Sequence, residues 1–255
     1  MSRFPRIPVF LCLLSLVSHP GCTIRENRDL CPALLVLEFP PLEETAMLLL
    51  TTETGRRADV LPAGLTEYRA VVERGNVTAL VRSPAELPFS AGQETRIPEG
   101  EDCPEFRLFA GNYEIRGEML RDSVRMHKSY CTLDLRVTSR DGSVPYSFTV
   151  QGGWCGYDAA GRALPGLFRC RLRPDPEGRG SLRLPRQGDD SLLLDLVGED
   201  GVLRSFALGE YLRESGYDWT AEDLEDAGIV IDYARTSVTL VIGNWSKTLP
   251  FDMII

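Results

Sequence analysis

The chain has 255 residues, a formal charge of −9 and a hydrophobic fraction of 43%. That fraction supports a packed core and excludes wholesale disorder, and the length fits two domains of ordinary size. The acidic balance argues against DNA, RNA or an anionic membrane surface as electrostatic partners.

The first segment reads as an address. Arg3 and Arg6 precede Ile7 to Ser18, a largely apolar run of 12 residues. A bilayer span takes about 18 or more, so this run is too short to be one. His19-Pro20-Gly21-Cys22 follows. A small residue before a cysteine, at the end of an apolar run, resembles the lipobox of bacterial lipoproteins, although His19 and Pro20 replace its usual residues. The expectation is a lipoprotein signal peptide over residues 1–21, cut before Cys22, which is then acylated, with palmitate as one chain. A plain secretory signal with an incidental cysteine is the competing reading. Either way the chain is exported. No later apolar stretch approaches spanning length, so attachment to a membrane rests on lipid. Several acyl chains, at about 0.8 kcal/mol per buried CH₂, hold far better than one.

Strand signals dominate the remainder. Ala33 to Phe39 and Ala46 to Thr52 are short apolar runs. Leu65 to Val72 and Asn76 to Val81 flank Glu73-Arg74-Gly75, a turn of hairpin length. Ser83 to Pro104 is rich in Pro, Gly and acids and reads as an extended loop. Val124 to Val137 is the longest strand-like stretch, and Val144 to Val150 alternates cleanly. Leu192 to Val197 and Val202 to Ala207 are joined around Gly198-Glu199-Asp200-Gly201. Leu208 to Glu214 reads as a short helix ended by Gly216, and Thr220 to Asp226 as a second, with Glu222 and Asp223 in its first turn. The last hairpin is Ile229 to Tyr233 with Val238 to Ile242. Short strands at turn-punctuated intervals indicate all-β antiparallel sandwiches. With a boundary near Arg121-Asp122, the domains are 22–121 and 122–255.

Five cysteines remain after removal of Cys12 and acylation of Cys22. Export permits disulfides, and an odd number leaves at least one thiol outside intrachain pairs. Cys131 shares an alternating face with Leu133, Leu135 and Val137 and reads as a buried free thiol. Cys155 and Cys170 bracket a Gly-rich loop; a bridge would close about 15 residues and contribute about 3 kcal/mol. Cys31 with Cys103 is the other candidate pair. Sequence alone leaves the connectivity open.

The search for chemistry finds little. There is no G-x-S-x-G, no P-loop and no C-x-x-C. Gly178-Arg179-Gly180 lacks the third glycine of a dinucleotide fingerprint. His127 has no nominated nucleophile or orienting acid. Asp189-Asp190 reads as a solvated turn rather than an acid/base pair, and Glu222-Asp223-Glu225-Asp226 as helix-start acids rather than a cation site. Trp154, Trp219 and Trp245 would stack on sugars only if they lined one exposed face. The sequons at Asn76 and Asn244 are incidental in a bacterial host. The chain is therefore expected to be a surface interaction protein, with no enzymatic activity, cofactor or metal. A surface glycan-binding lipoprotein is the alternative.

One resemblance sharpens this. Cys22-Thr23-Ile24-Arg25-Glu26-Asn27-Arg28-Asp29-Leu30-Cys31-Pro32, followed by a β run, resembles the lipoprotein anchoring subunits of type V fimbriae in Bacteroidales. Further matches are Tyr68 to Val72 ahead of Arg74-Gly75, Gly156-Tyr157-Asp158, Leu184-Pro185-Arg186-Gln187, Leu208-Gly209-Glu210-Tyr211-Leu212, Gly216-Tyr217-Asp218-Trp219, and Ile231-Asp232-Tyr233 before Trp245. The resemblance implies two tandem transthyretin-like β-sandwich domains with minor short helices. It implies a non-catalytic minor pilus component, lipid-anchored and surface-exposed at the outer membrane, at the base of a fimbrium. Its partner would be a stalk subunit, engaged by strand complementation, and its presence would limit shaft length. The spacer mixes Arg25 and Arg28 with Glu26 and Asp29, which leaves the face of the membrane open.

Overall fold

The computed structural model describes residues 31–250 apart from 89, 92–93, 140–146, 159–160, 199–200, 233–236 and 243. The expected signal peptide and Cys22 lie outside the described residues, as do Val144 to Tyr146, Glu199-Asp200 and Tyr233. Residues 32–255 form one compact unit, and it contains two hydrophobic cores.

The smaller core lies between two sheets. The strands are β1 (Ala33–Glu38), β2 (Ala46–Thr51), β3 (Arg56–Leu61), β4 (Glu67–Val72) and β5 (Gly75–Ser83). After β6 (Ser90–Ala91) and β7 (Glu94–Arg96), the chain returns as β8 (Arg107–Ile115), β9 (Met119–Ser123) and β10 (His127–Lys128). One sheet has the order β4-β1-β9, the other β10-β8-β5-β2-β3. Period-2 alternation turns Leu35 and Leu37 of β1, Leu48 and Leu50 of β2, and Val77, Ala79 and Val81 of β5 into the shared interior.

The larger core is built from β11 (Tyr130–Thr138), β12 (Ser147–Tyr157), β13 (Ala163–Leu172), β14 (Arg179–Pro185), β15 (Leu193–Gly198), β16 (Gly201–Phe206), β17 (Ala227–Asp232), β18 (Ser237–Ile242) and β19 (Trp245–Pro250). One sheet runs β14-β11-β17-β18-β19; the other runs β16-β15-β12-β7-β6, with β13 also paired to β12. Each sandwich includes one parallel pair, β1 with β9 and β11 with β17. The only helix among the described residues is α1 (Leu208–Glu214). It stops as the sequence predicts. Gly216 takes φ 83°, and Tyr217 N–H reaches Leu212 O at 3.0 Å. These are the left-handed residue and the long-range bond that close a helix end.

Three expectations change. Thr220 to Asp226 forms turns rather than a helix. Asp218 accepts from Thr220 N at 2.7 Å, while Asp223 and Asp226 accept backbone N–H groups of Lys128 and Thr132, both at 2.7 Å. Asp218 thus closes a local turn, and Asp223 and Asp226 are engaged by other strands instead of a helix start. Val124 to Val137 divides, with Val124 in the smaller core and Cys131 in the larger. Ser83 to Pro104 contains β6 and β7 and then a strap along the larger sandwich. Ile97 N bonds Cys155 O (2.8 Å), Gly100 N bonds Arg169 O (2.7 Å) and Cys103 N bonds Arg183 O (3.2 Å). The strap thereby covers part of the outer edges of β13 and β14.

Candidate functional site

No catalytic constellation assembles from the residues that the sequence singles out. His127 Nδ1 lies 3.1 Å from Asp223 Oδ2, and its Nε2 lies 3.6 Å from Glu222 Oε2. Asp223 sits below the usual carboxylate range, chiefly because it accepts the Lys128 backbone N–H. Asp226 is lowered as well: burial opposes ionisation, but bonds from Lys128 and Thr132 outweigh it. Asp223 and Asp226 thus tie a loop to β10 and β11. Asp189 accepts Ser191 N at 3.0 Å, and Asp190 pairs with Arg213 of α1 at 2.9 Å. Among the described residues, no group of three or more His, Cys, Asp or Glu is arranged to hold a metal ion.

Each of the three tryptophans is half-buried and packs on its neighbours. Trp154 stands over Gly188, where a Cβ would come within 2.4 Å of its ring. Trp219 packs edge-on to Tyr217, with ring centroids 4.6 Å apart. Trp245 lies on β19 against the larger core. Asn76 is held by Glu53 at 3.2 Å, and Asn244 is exposed.

All five described cysteines are free thiols, so neither candidate disulfide is formed in this structure. Strand register opposes the Cys155–Cys170 pair. Cys170 sits opposite Val150, so Cys155 is five residues further along β12, about 16 Å away at strand rise. A bridge needs Cα atoms within about 7 Å. Cys31 is exposed while Cys103 is fully buried. Cys131 is also fully buried, on the inward face with Leu133, Leu135 and Val137. Desolvation pushes the thiols of Cys103 and Cys131 up, that of Cys131 to about 11, so both stay protonated and inert.

The sheet edges of the smaller sandwich offer one interaction surface among the described residues. On the core side, β3 carries Arg57 and Asp59, paired at 2.7 Å, and Asp59 accepts from Tyr68 of β4. Burial, with that bond second, pushes Tyr68 up to about 12. β9 carries Asp122 inward, where it accepts from Tyr113 at 2.7 Å. Inward-pointing charge on an edge strand deters strand addition. The core-side residues of β4 are Tyr68, Ala70 and Val72, none charged. Between β4 and β3 the seam opens into a cavity of about 200 Å³, lined by Leu50, Thr54, Gly55, Arg57, Val72 and neighbours. On the outer face, Val71, Leu34 and Met119 form one row across the β4-β1-β9 sheet. Val71 is 67% and Met119 56% exposed. These edge features have no sequence signature, because pairing partners decide which strand ends a sheet.

Comparison with known proteins gives structural neighbours only. No protein-family model matches the chain, nor does any curated protein sequence. The fimbrial anchor protein Mfa2 from Porphyromonas gingivalis superposes with TM-score 0.60 at 11% identity, over 85% of this chain and 99% of that one. A Bacteroides thetaiotaomicron protein with a proposed polysaccharide-binding description gives TM-score 0.61 at 11% identity, over 87% and 99%. A proposed adhesin from Bacteroides ovatus gives 0.60 at 10% identity, over 86% and 96%. The chain shares the all-β fold of these proteins across nearly their whole length.

Proposed function

We propose that this chain is a non-catalytic outer-membrane lipoprotein, acylated at Cys22, that anchors a fimbria at its base. In this reading it consists of two tandem transthyretin-like domains. It engages the first stalk subunit by strand complementation and limits shaft length. The observation that carries the reading is the fold shared with a fimbrial anchor protein over 85% of the chain. Support also comes from the Gly21-Cys22 junction and the Cys31-Pro32 opening of β1. The absence of a helix long and apolar enough to cross a membrane, among the described residues, is compatible with attachment through lipid.

The test is Cys22→Ala in the producing cell. Protein and attached filament should move from the membrane fraction to the medium. Mass spectrometry of the native N-terminus should show acylation in the wild type. Unchanged membrane retention of the variant overturns the reading. A glycan-binding role is favoured by the description of one neighbour. Trp219 and Trp245 pack against the larger core, which weighs against it.

A further inference from the structure

The free edge of β4 combines an exposed run of main-chain groups with a recess beside it. Leu34 donates its N–H to Glu118 O at 2.9 Å, and Glu38 O accepts from Val124 N at 2.7 Å. The even residues of β1 therefore face β9, and Ala33, Leu35 and Leu37 face β4. Opposite them stand Val72, Ala70 and Tyr68, whose N–H and C=O groups form the ladder. In an antiparallel pair these directions alternate. The main-chain groups of Glu67, Arg69 and Val71 consequently point to the open side, where no described strand pairs with them.

A row of outward N–H and C=O groups selects one kind of ligand, an extended polypeptide, and alternate side chains of such a peptide fall to the two faces of the sheet. On the core face they would meet the seam cavity of about 200 Å³, whose lining joins Leu50 and Val72 to Thr52, Thr54 and Arg57. That is several times the share of liquid volume of one water, about 30 Å³. On the outer face they would flank Val71, which is 67% exposed. The sheet itself has three strands against five in its partner, so it has room for one more.

We infer that the β4 edge accepts an extended segment of the stalk subunit as a fourth strand, with an aliphatic side chain of that segment seated in the seam between β4 and β3. This assignment rests on the fimbrial reading above and adds the edge that the reading lacks. Neighbouring edges are poorer acceptors: β3 and β9 carry inward charge, and β10 has two residues.

The experiment uses the native lipoprotein in cells that make the fimbria. Arg69→Pro removes one outward N–H without touching any bond between β1 and β4, and proline is tolerated on an edge strand. It should lower the amount of filament that co-isolates with the membrane fraction about tenfold, the order expected for loss of one main-chain bond. Arg69→Ala should hold filament like the wild type. In parallel, hydrogen exchange on the wild type should show the amides of Glu67, Arg69 and Val71 slowing when filament is attached. Those of Tyr68, Ala70 and Val72 should be slow with or without it. Should Arg69→Pro fail to fold, the exchange measurement decides alone. Full filament retention by Arg69→Pro, or unchanged exchange at the three outward amides, overturns the β4 assignment and leaves the fimbrial reading standing. A wild-type protein that co-isolates with no filament overturns both.

Discussion

Tyr157 is 3% exposed, yet its hydroxyl is fully used. It donates to Ser129 O and accepts from Arg186 N at 2.8 Å. The Arg186 guanidinium then donates to the carbonyls of Trp219 and Ala221, the latter at 2.8 Å. Gln187 donates to Pro185 O at 2.8 Å and to Trp154 O at 3.3 Å. Gly156 is required because a Cβ there would lie 1.9 Å from Thr95 O of β7. The segments Gly156-Tyr157-Asp158, Leu184-Pro185-Arg186-Gln187 and Gly216-Tyr217-Asp218-Trp219 are far apart in sequence and meet in this knot. They were legible as motifs because buried polar groups demand specific partners. Their bonds tie loops together. Tyr157→Phe should leave a buried N–H and a buried C=O without their partner and cost about 1–3 kcal/mol. The midpoint of denaturant unfolding measures this, and an unshifted midpoint would remove the knot from the account.

At the scale of elements, short apolar runs such as Ala33 to Phe39 and Ala46 to Thr52 were readable, and Leu208–Glu214 was readable from its terminating glycine. β3, β8, β13 and β14 were not. β3 places Arg57 and Asp59 on its core side, which breaks the pattern. β13 includes Pro165 and Gly166, which the structure accommodates at a strand without a second strand partner. The strap bonds to edges chiefly through its main chain, so its composition still resembles a loop. The turn segment 218–226 illustrates the same limit: its acids serve other strands. Asp223 is depressed by the Lys128 N–H first, then by His127. Its folded value is below the unfolded one of about 3.9, so it stabilises above that pH, and the contribution fades as pH falls through the folded value. Asp223→Asn should therefore flatten the loss of stability below about pH 4. Unfolding midpoints at pH 7 and pH 3 test this, and an identical decline in variant and wild type would contradict it.

For the whole molecule, the sequence indicated two β-rich parts but not how the chain shares itself between them. β6 and β7 precede β8 of the smaller sandwich in sequence and yet join the sheet of the larger one. Phe106, just before β8, belongs to the larger core, and Leu108 packs against it. Such crossings depend on distant pairing, which local periodicity does not encode. They also predict joint unfolding. Leu35 is fully buried in the smaller core, and Leu35→Ala should cost about 2–5 kcal/mol. All three tryptophans lie in or against the larger sandwich. The transition followed by tryptophan fluorescence should nonetheless shift with this substitution. A tryptophan signal that stays in place would mean that the two cores melt independently.

β1 is the first described strand, and it has β4 on one side and β9 on the other. Tension arriving through Pro32 and directed along the strand axis would meet ladder bonds that lie across that axis. Such a load shears both ladders together instead of peeling them one bond at a time. The protein therefore meets a mechanical pull on its N-terminal end with its more resistant geometry.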